Sequence, residues 1–68
     1  MAKDRIEWFE APARDQRPGW TIWIGRHPEY YSAQAVNASG DSIETANYGD
    51  REQALERLNE LLDCQDRP

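Results

Sequence analysis

The sequence predicts an α+β domain: a four-stranded antiparallel meander with one C-terminal amphipathic helix packed on one face of the sheet. Three observations carry this expectation. The first two thirds of the chain break into short runs of strand formers separated by turn residues. From Asp50 onward the apolar period changes from that of a strand to that of a helix. A chain of 68 residues is also too short to bury more than one core.

Each element follows from local composition. "RIEWFEA" is rich in strand formers and predicts strand one over about 5–10. "APARDQRPG" is a long connection, with Pro12 and the Pro18-Gly19 pair as breakers. "WTIWI" alternates Trp20, Ile22 and Ile24 against Thr21, Trp23 and Gly25, which is the signal of a half-buried strand at about 20–25. "GRHPE" turns the chain, "YYSAQAVN" predicts strand three over about 30–37, and "ASGD" is a tight turn. "SIETANY" is then strand four, over about 42–48. Turns this short between successive strands require antiparallel neighbours. "DREQALERLNELLD" places Ala54, Leu55, Leu58, Leu61 and Leu62 on one helical face, over about 51–63. Asp50 is the expected N-cap, Gln53 completes a capping-box-like pattern, and residues 64–68 read as a polar tail.

One helix covers one face, so strand parity decides which aromatics are core. Trp20, Ile22 and Ile24 are expected to meet the leucines, which points Trp23 away from the helix. Tyr31, Ala33 and Ala35 suit the helix side, with Tyr30 then beside Trp23. In strand one we expect Ile6 and Trp8 inside and Phe9 outside. Trp23, Phe9 and Tyr30 would form an apolar patch of the kind that marks an interface, unless the long loop folds over it.

The net charge of -5 lies entirely in the C-terminal half. Up to residue 34 the charges cancel. Beyond it, Asp41, Glu44, Asp50, Glu52, Glu56, Glu60, Asp63 and Asp66 face only Arg51, Arg57 and Arg67. Such a balance disfavours a phosphate backbone and favours a basic protein partner. The single cysteine, Cys64, rules out an internal disulfide, and no Cys/His cluster has metal-ligand spacing. The charged N-terminus does not resemble a signal peptide and no stretch has the length of a membrane span, so a cytoplasmic protein is expected.

His27 is the only histidine, sits beside Pro28 in a turn, and is expected to be exposed. Nothing in the sequence activates Cys64 as a nucleophile. Glu52, Glu56 and Glu60, extended by Asp63, form a helical stripe that either solvates the helix or imitates a phosphate backbone, with Asp41 and Glu44 broadening the field. Arg14, Arg17, Trp23, Arg26 and Tyr30 would be the members of a single-strand nucleic-acid clamp, but the acidic balance favours reading these arginines as solubilising.

From Tyr31 to Leu58, "YSAQAVNASGDSIETANYGDREQALERL" resembles a small bacterial domain of unknown function that occurs singly or in tandem as a β-meander followed by a helix. Gly40, Ile43, Tyr48 and Ala54 stand in the order of that family's turn, strand, tyrosine and helix; the long loop before Pro18 departs from it. The same region is similar, more distantly, to the HicB-like antitoxin fold. Both resemblances imply binding, and neither implies a catalytic residue.

The expectation is therefore a non-enzymatic, protein-binding domain without cofactor or metal. Its candidate contact residues are Glu52, Glu56, Glu60, Asp63, Asp41, Glu44, Trp23 and Tyr30. In its sharpest form it is a small inhibitor of the kind carried by phages, of anti-CRISPR type, that blocks a basic nucleic-acid site on a host complex by charge imitation. The rivals are a self-associating structural or regulatory domain that dimerises through its open sheet face, and an antitoxin-like module.

Overall fold

Four runs of strand formers pair with their sequence neighbours, as their short connections dictate. The computed structural model describes residues 6–66. In it β1 (Glu7–Glu10), β2 (Trp20–Arg26), β3 (Tyr31–Asn37) and β4 (Ser42–Glu44) form one antiparallel sheet in the order β1-β2-β3-β4, followed by the helix α1 (Arg51–Asp66). The α+β meander expected from the sequence is the observed fold. Arg5, the expected first residue of strand one, and the last two residues of the expected tail lie outside the described residues.

Local chemistry shapes the connections. Pro18 and Gly19, the latter at φ 86°, make a turn closed by Trp20 N–H donating to the Arg17 carbonyl at 3.2 Å, the composition of a type II turn. In the loop before it, a single turn of 3-10 helix (Ala13–Asp15) brings Gln16 back to the sheet. The Gln16 amide donates to the carbonyls of Ala11 and Ile22 at 3.0 and 3.1 Å, and accepts from Ile22 N–H at 2.8 Å. One side chain thus completes the ladder where β1 and β2 diverge. At the β3–β4 turn, Asn37 Oδ1 accepts from the N–H groups of Ser39 and Asp41 at 3.0 and 2.9 Å, while Gly40 takes φ 92°.

Strand four is shorter than expected, and a bulge explains it. Thr45 N–H donates to the Ala33 carbonyl at 2.9 Å, and Ala33 N–H donates to the Thr45 hydroxyl at 3.0 Å. Tyr31 and Tyr48 then exchange main-chain bonds at 2.6 and 2.7 Å. Ala46 and Asn47 therefore stand against the single residue Ser32, and the regular strand ends at Glu44.

The helix starts at its expected cap: Asp50 Oδ1 accepts from Glu52 N–H at 3.2 Å. It runs past Cys64 to Asp66, because no glycine or proline interrupts it before Pro68. Ala54, Leu58 and Leu62 are buried against Ile22, Ile24, Ala33 and Ala35, and the last two are small enough to let the helix lie directly over β3. Trp20, Tyr31, Ile43, Tyr48 and Leu55 seal the margins of this core.

Candidate interaction surfaces

Residues directly opposite in the ladder share a face, so the register assigns both faces of the sheet. Ile22 opposite Ala35, Ile24 opposite Ala33 and Arg26 opposite Tyr31 lie on the helix side. Trp23 falls between them, on the side without a helix, as its parity required. The row through Trp23 reads Glu10, Trp23, Gln34 and Glu44 across all four strands. The half-buried indole thus has the exposed Glu10 on one side and Gln34 on the other, with the exposed Glu44 at the far end of the row.

The reading of strand one is reversed. Phe9 stands opposite Ile24 and so lies on the helix side, while Trp8 stands opposite Gly25 on the open side. The reason is room. A Cβ on Gly25 would come within 2.9 Å of the Trp8 ring and of Ser32 Oγ, so only a glycine lets the indole lie flat across β2. Sequence reasoning missed Trp8 as an open-face residue; its signal was the glycine in "WIGR", which becomes informative once the register is known. Ile6, expected inside, precedes the strand and is exposed.

Tyr30 does not join Trp23. The Gly25–Ser32 pair separates them, and Tyr30 lines a hollow of about 320 Å³ at the β2–β3 turn with His27, Pro28, Glu29 and Asn47. The long loop does not cover Trp23 either. Arg17 carries it to the helix, where its guanidinium donates to Asp63 Oδ1 at 2.9 Å and to the main-chain and side-chain oxygens of Asn59 at 3.3 Å each.

The acidic helix stripe divides into two halves. Asp63 is paired with Arg17, and Glu60 with Arg57 at 3.1 Å. Glu52 and Glu56 have no ion-pair partner among the described residues, and they border an open groove of about 630 Å³ between α1 and the Ala13–Asp15 turn. Of the two hairpin carboxylates, Glu44 belongs to the opposite face of the sheet, while Asp41, bonded to Asn37 in its turn, lines a hollow with Gln65 near the end of α1.

The arginines of the conjectured nucleic-acid clamp are not assembled. Arg17 is bound to the helix, Arg14 lines the groove beside it, and Arg26 lies on the helix side of β2, near Glu7, with Trp23 on the other. His27 is half-buried rather than exposed, since its Nε2 lies 3.0 Å from Ser32 Oγ. That serine is fully buried, so the pair offers no nucleophile to a substrate. Among the described residues no group of three or more His, Cys, Asp or Glu is placed to hold a metal ion, and no helix is long and apolar enough to cross a membrane. No family model, curated protein or solved structure matches the chain.

Proposed function

We propose that this chain acts by binding a basic segment of another protein on the open face of its sheet, without catalytic chemistry of its own. The observation that carries the reading is the cross-strand row Glu10–Trp23–Gln34–Glu44, an aromatic centre with a carboxylate at each end. Trp8 extends the aromatic surface diagonally from Trp23, at the distance where large rings on neighbouring strands still meet. An arginine side chain suits this chemistry. Its guanidinium stacks on an indole and its charge is met by Glu10 on the neighbouring strand, while Glu44 receives a further basic residue at the far end of the row; the stacking is worth about 0.5–2 kcal/mol per cation–π contact.

Titration of the isotope-labelled protein with an arginine-rich peptide, followed by amide chemical shifts, tests the reading. Shifts are expected along the Trp23 row, with affinity falling at least tenfold in Trp23→Ala and several-fold in Glu10→Gln/Glu44→Gln. Added salt weakens this binding. Absence of binding to any basic peptide overturns the reading.

A second reading has its own support. Glu52 and Glu56, unpaired among the described residues, suit an inhibitor that imitates a phosphate backbone and occupies a basic nucleic-acid groove. Binding lost on reversing Glu56 and Glu60 yet unaffected by Trp23→Ala would move the contact surface to the helix.

A further inference from the structure

We propose that the outer edge of β1 joins two copies of this chain, which pair antiparallel about Phe9 to make one continuous sheet. The main chain supplies the first argument. Ala11 N–H donates to the Ile22 carbonyl at 2.9 Å, and Phe9 opposite Ile24 and Glu7 opposite Arg26 continue that register. In an antiparallel ladder such pairs alternate, so the odd residues of β1 use their main-chain groups on β2. The N–H and C=O groups of Trp8 and Glu10 therefore point outwards, away from β2. An edge of this kind is a template for another strand; Glu7–Glu10 is short and carries two glutamates, which oppose pairing, but it has no proline or bulge to interrupt the ladder. The opposite edge is blunted further, since β4 has three residues and runs straight into the bulge at Ala46 and Asn47.

Side chains supply the second argument. Of the four large apolar residues that stay exposed among the described residues, three are Ile6, Trp8 and Phe9, at 42, 38 and 37%. Two-fold symmetry then selects the register. A continuous sheet keeps like faces together, so the strands must cross at a residue facing its own copy. Crossing at Glu7 or Glu10 sets two carboxylates directly opposite each other, which is destabilising. Crossing at Trp8 hydrogen-bonds only Trp8 to its copy within the strand. Crossing at Phe9 pairs Trp8 with Glu10 of the other copy twice over, with four main-chain bonds, and sets the two phenyl rings in the close, non-hydrogen-bonded position. Each Glu7 then faces an alanine, Ala11 of the other copy. This pairing leaves Trp23, Gln34 and Glu44 uncovered, brings Glu10 at the head of the row beside Trp8 of the other copy, and puts both copies of the row on one side of the joined sheet, so the dimer would present two binding rows to a partner.

Self-association and partner binding respond to salt with opposite sign. Each copy carries -5, so added salt screens their repulsion and tightens the dimer. Sedimentation equilibrium of the full chain, from micromolar to millimolar and at low and high salt, is expected to show a reversible dimer strengthened by salt. Glu10→Pro removes an outward N–H and leaves the β2 ladder intact, so the dimer dissociation constant should rise at least tenfold while the far-ultraviolet spectrum is kept. Independently, Phe9→Cys in a Cys64→Ser background should oxidise to a disulfide-linked dimer, because the two Cα atoms would lie within disulfide reach. Glu7→Cys in the same background should not. A chain that stays monomeric at millimolar concentration in high salt overturns the proposal. So does a dimer that is lost in Trp23→Ala but kept in Glu10→Pro, which would place the contact on the open face.

Discussion

The two faces of this sheet are built from alternate residues of the same four strands, and both carry aromatic side chains. On the helix side, Ile22, Ile24, Ala33 and Ala35 are excluded from water under Ala54, Leu58 and Leu62. On the other side Trp23 is half-buried, Trp8 lies across a glycine, and carboxylates close both ends of the row. Aromatic content alone does not distinguish them. What separates the buried face from the open face here is the one α-helix among the described residues, which covers only the first.

The contrast breaks first at the helix. Leu58→Ala removes a fully buried side chain from the only covered face and should cost about 3 kcal/mol, enough to unfold much of a domain this small. Chemical denaturation would measure it. A loss below about 1 kcal/mol would mean that the helix does not hold the core. A smaller effect is expected on the open side. Gly25→Ala forces a methyl group against the Trp8 ring and Ser32, at roughly 1–3 kcal/mol, and Trp8→Ala introduced with it should recover part of that loss. Additive losses in this double-mutant cycle would show that Trp8 does not cover Gly25. The smallest effect belongs to the tether between loop and helix. Arg17→Ala should lower the melting temperature by a few degrees, corresponding to roughly 1 kcal/mol, and leave affinity for a basic peptide at the Trp23 row unchanged. An affinity gain localised to Asp63 would instead mark the helix stripe as the contact surface that Arg17 masks.

Much of the fold was legible because its signals are local. The alternation in "WTIWI", the Pro18-Gly19 turn and the leucine spacing after Asp50 each concern residues a few positions apart, and each element formed near its expected place. The strand-one face, the short β4 and the environment of His27 were not legible. Trp8 and Phe9 are neighbours in a run that fits either parity, and only pairing with Gly25 and Ile24 decides between them. The bulge at Ala46 and Asn47 depends on Tyr48 finding Tyr31, and the burial of His27 depends on Ser32 across the turn.

The same division holds for the candidate surfaces. By itself the sequence determined that a single amphipathic helix leaves one sheet face open, that Trp23 lies on it, and that the excess negative charge follows residue 34. Tertiary structure alone decided that Glu10 and Glu44 close the two ends of the row through Trp23, that Tyr30 lies elsewhere, and that Arg17 and Arg57 neutralise half of the helix stripe. The physical reason is register. Periodicity within a segment fixes which residues share a side, but which side of which neighbour they meet is set by main-chain pairing between segments, and a shift of one residue exchanges every face.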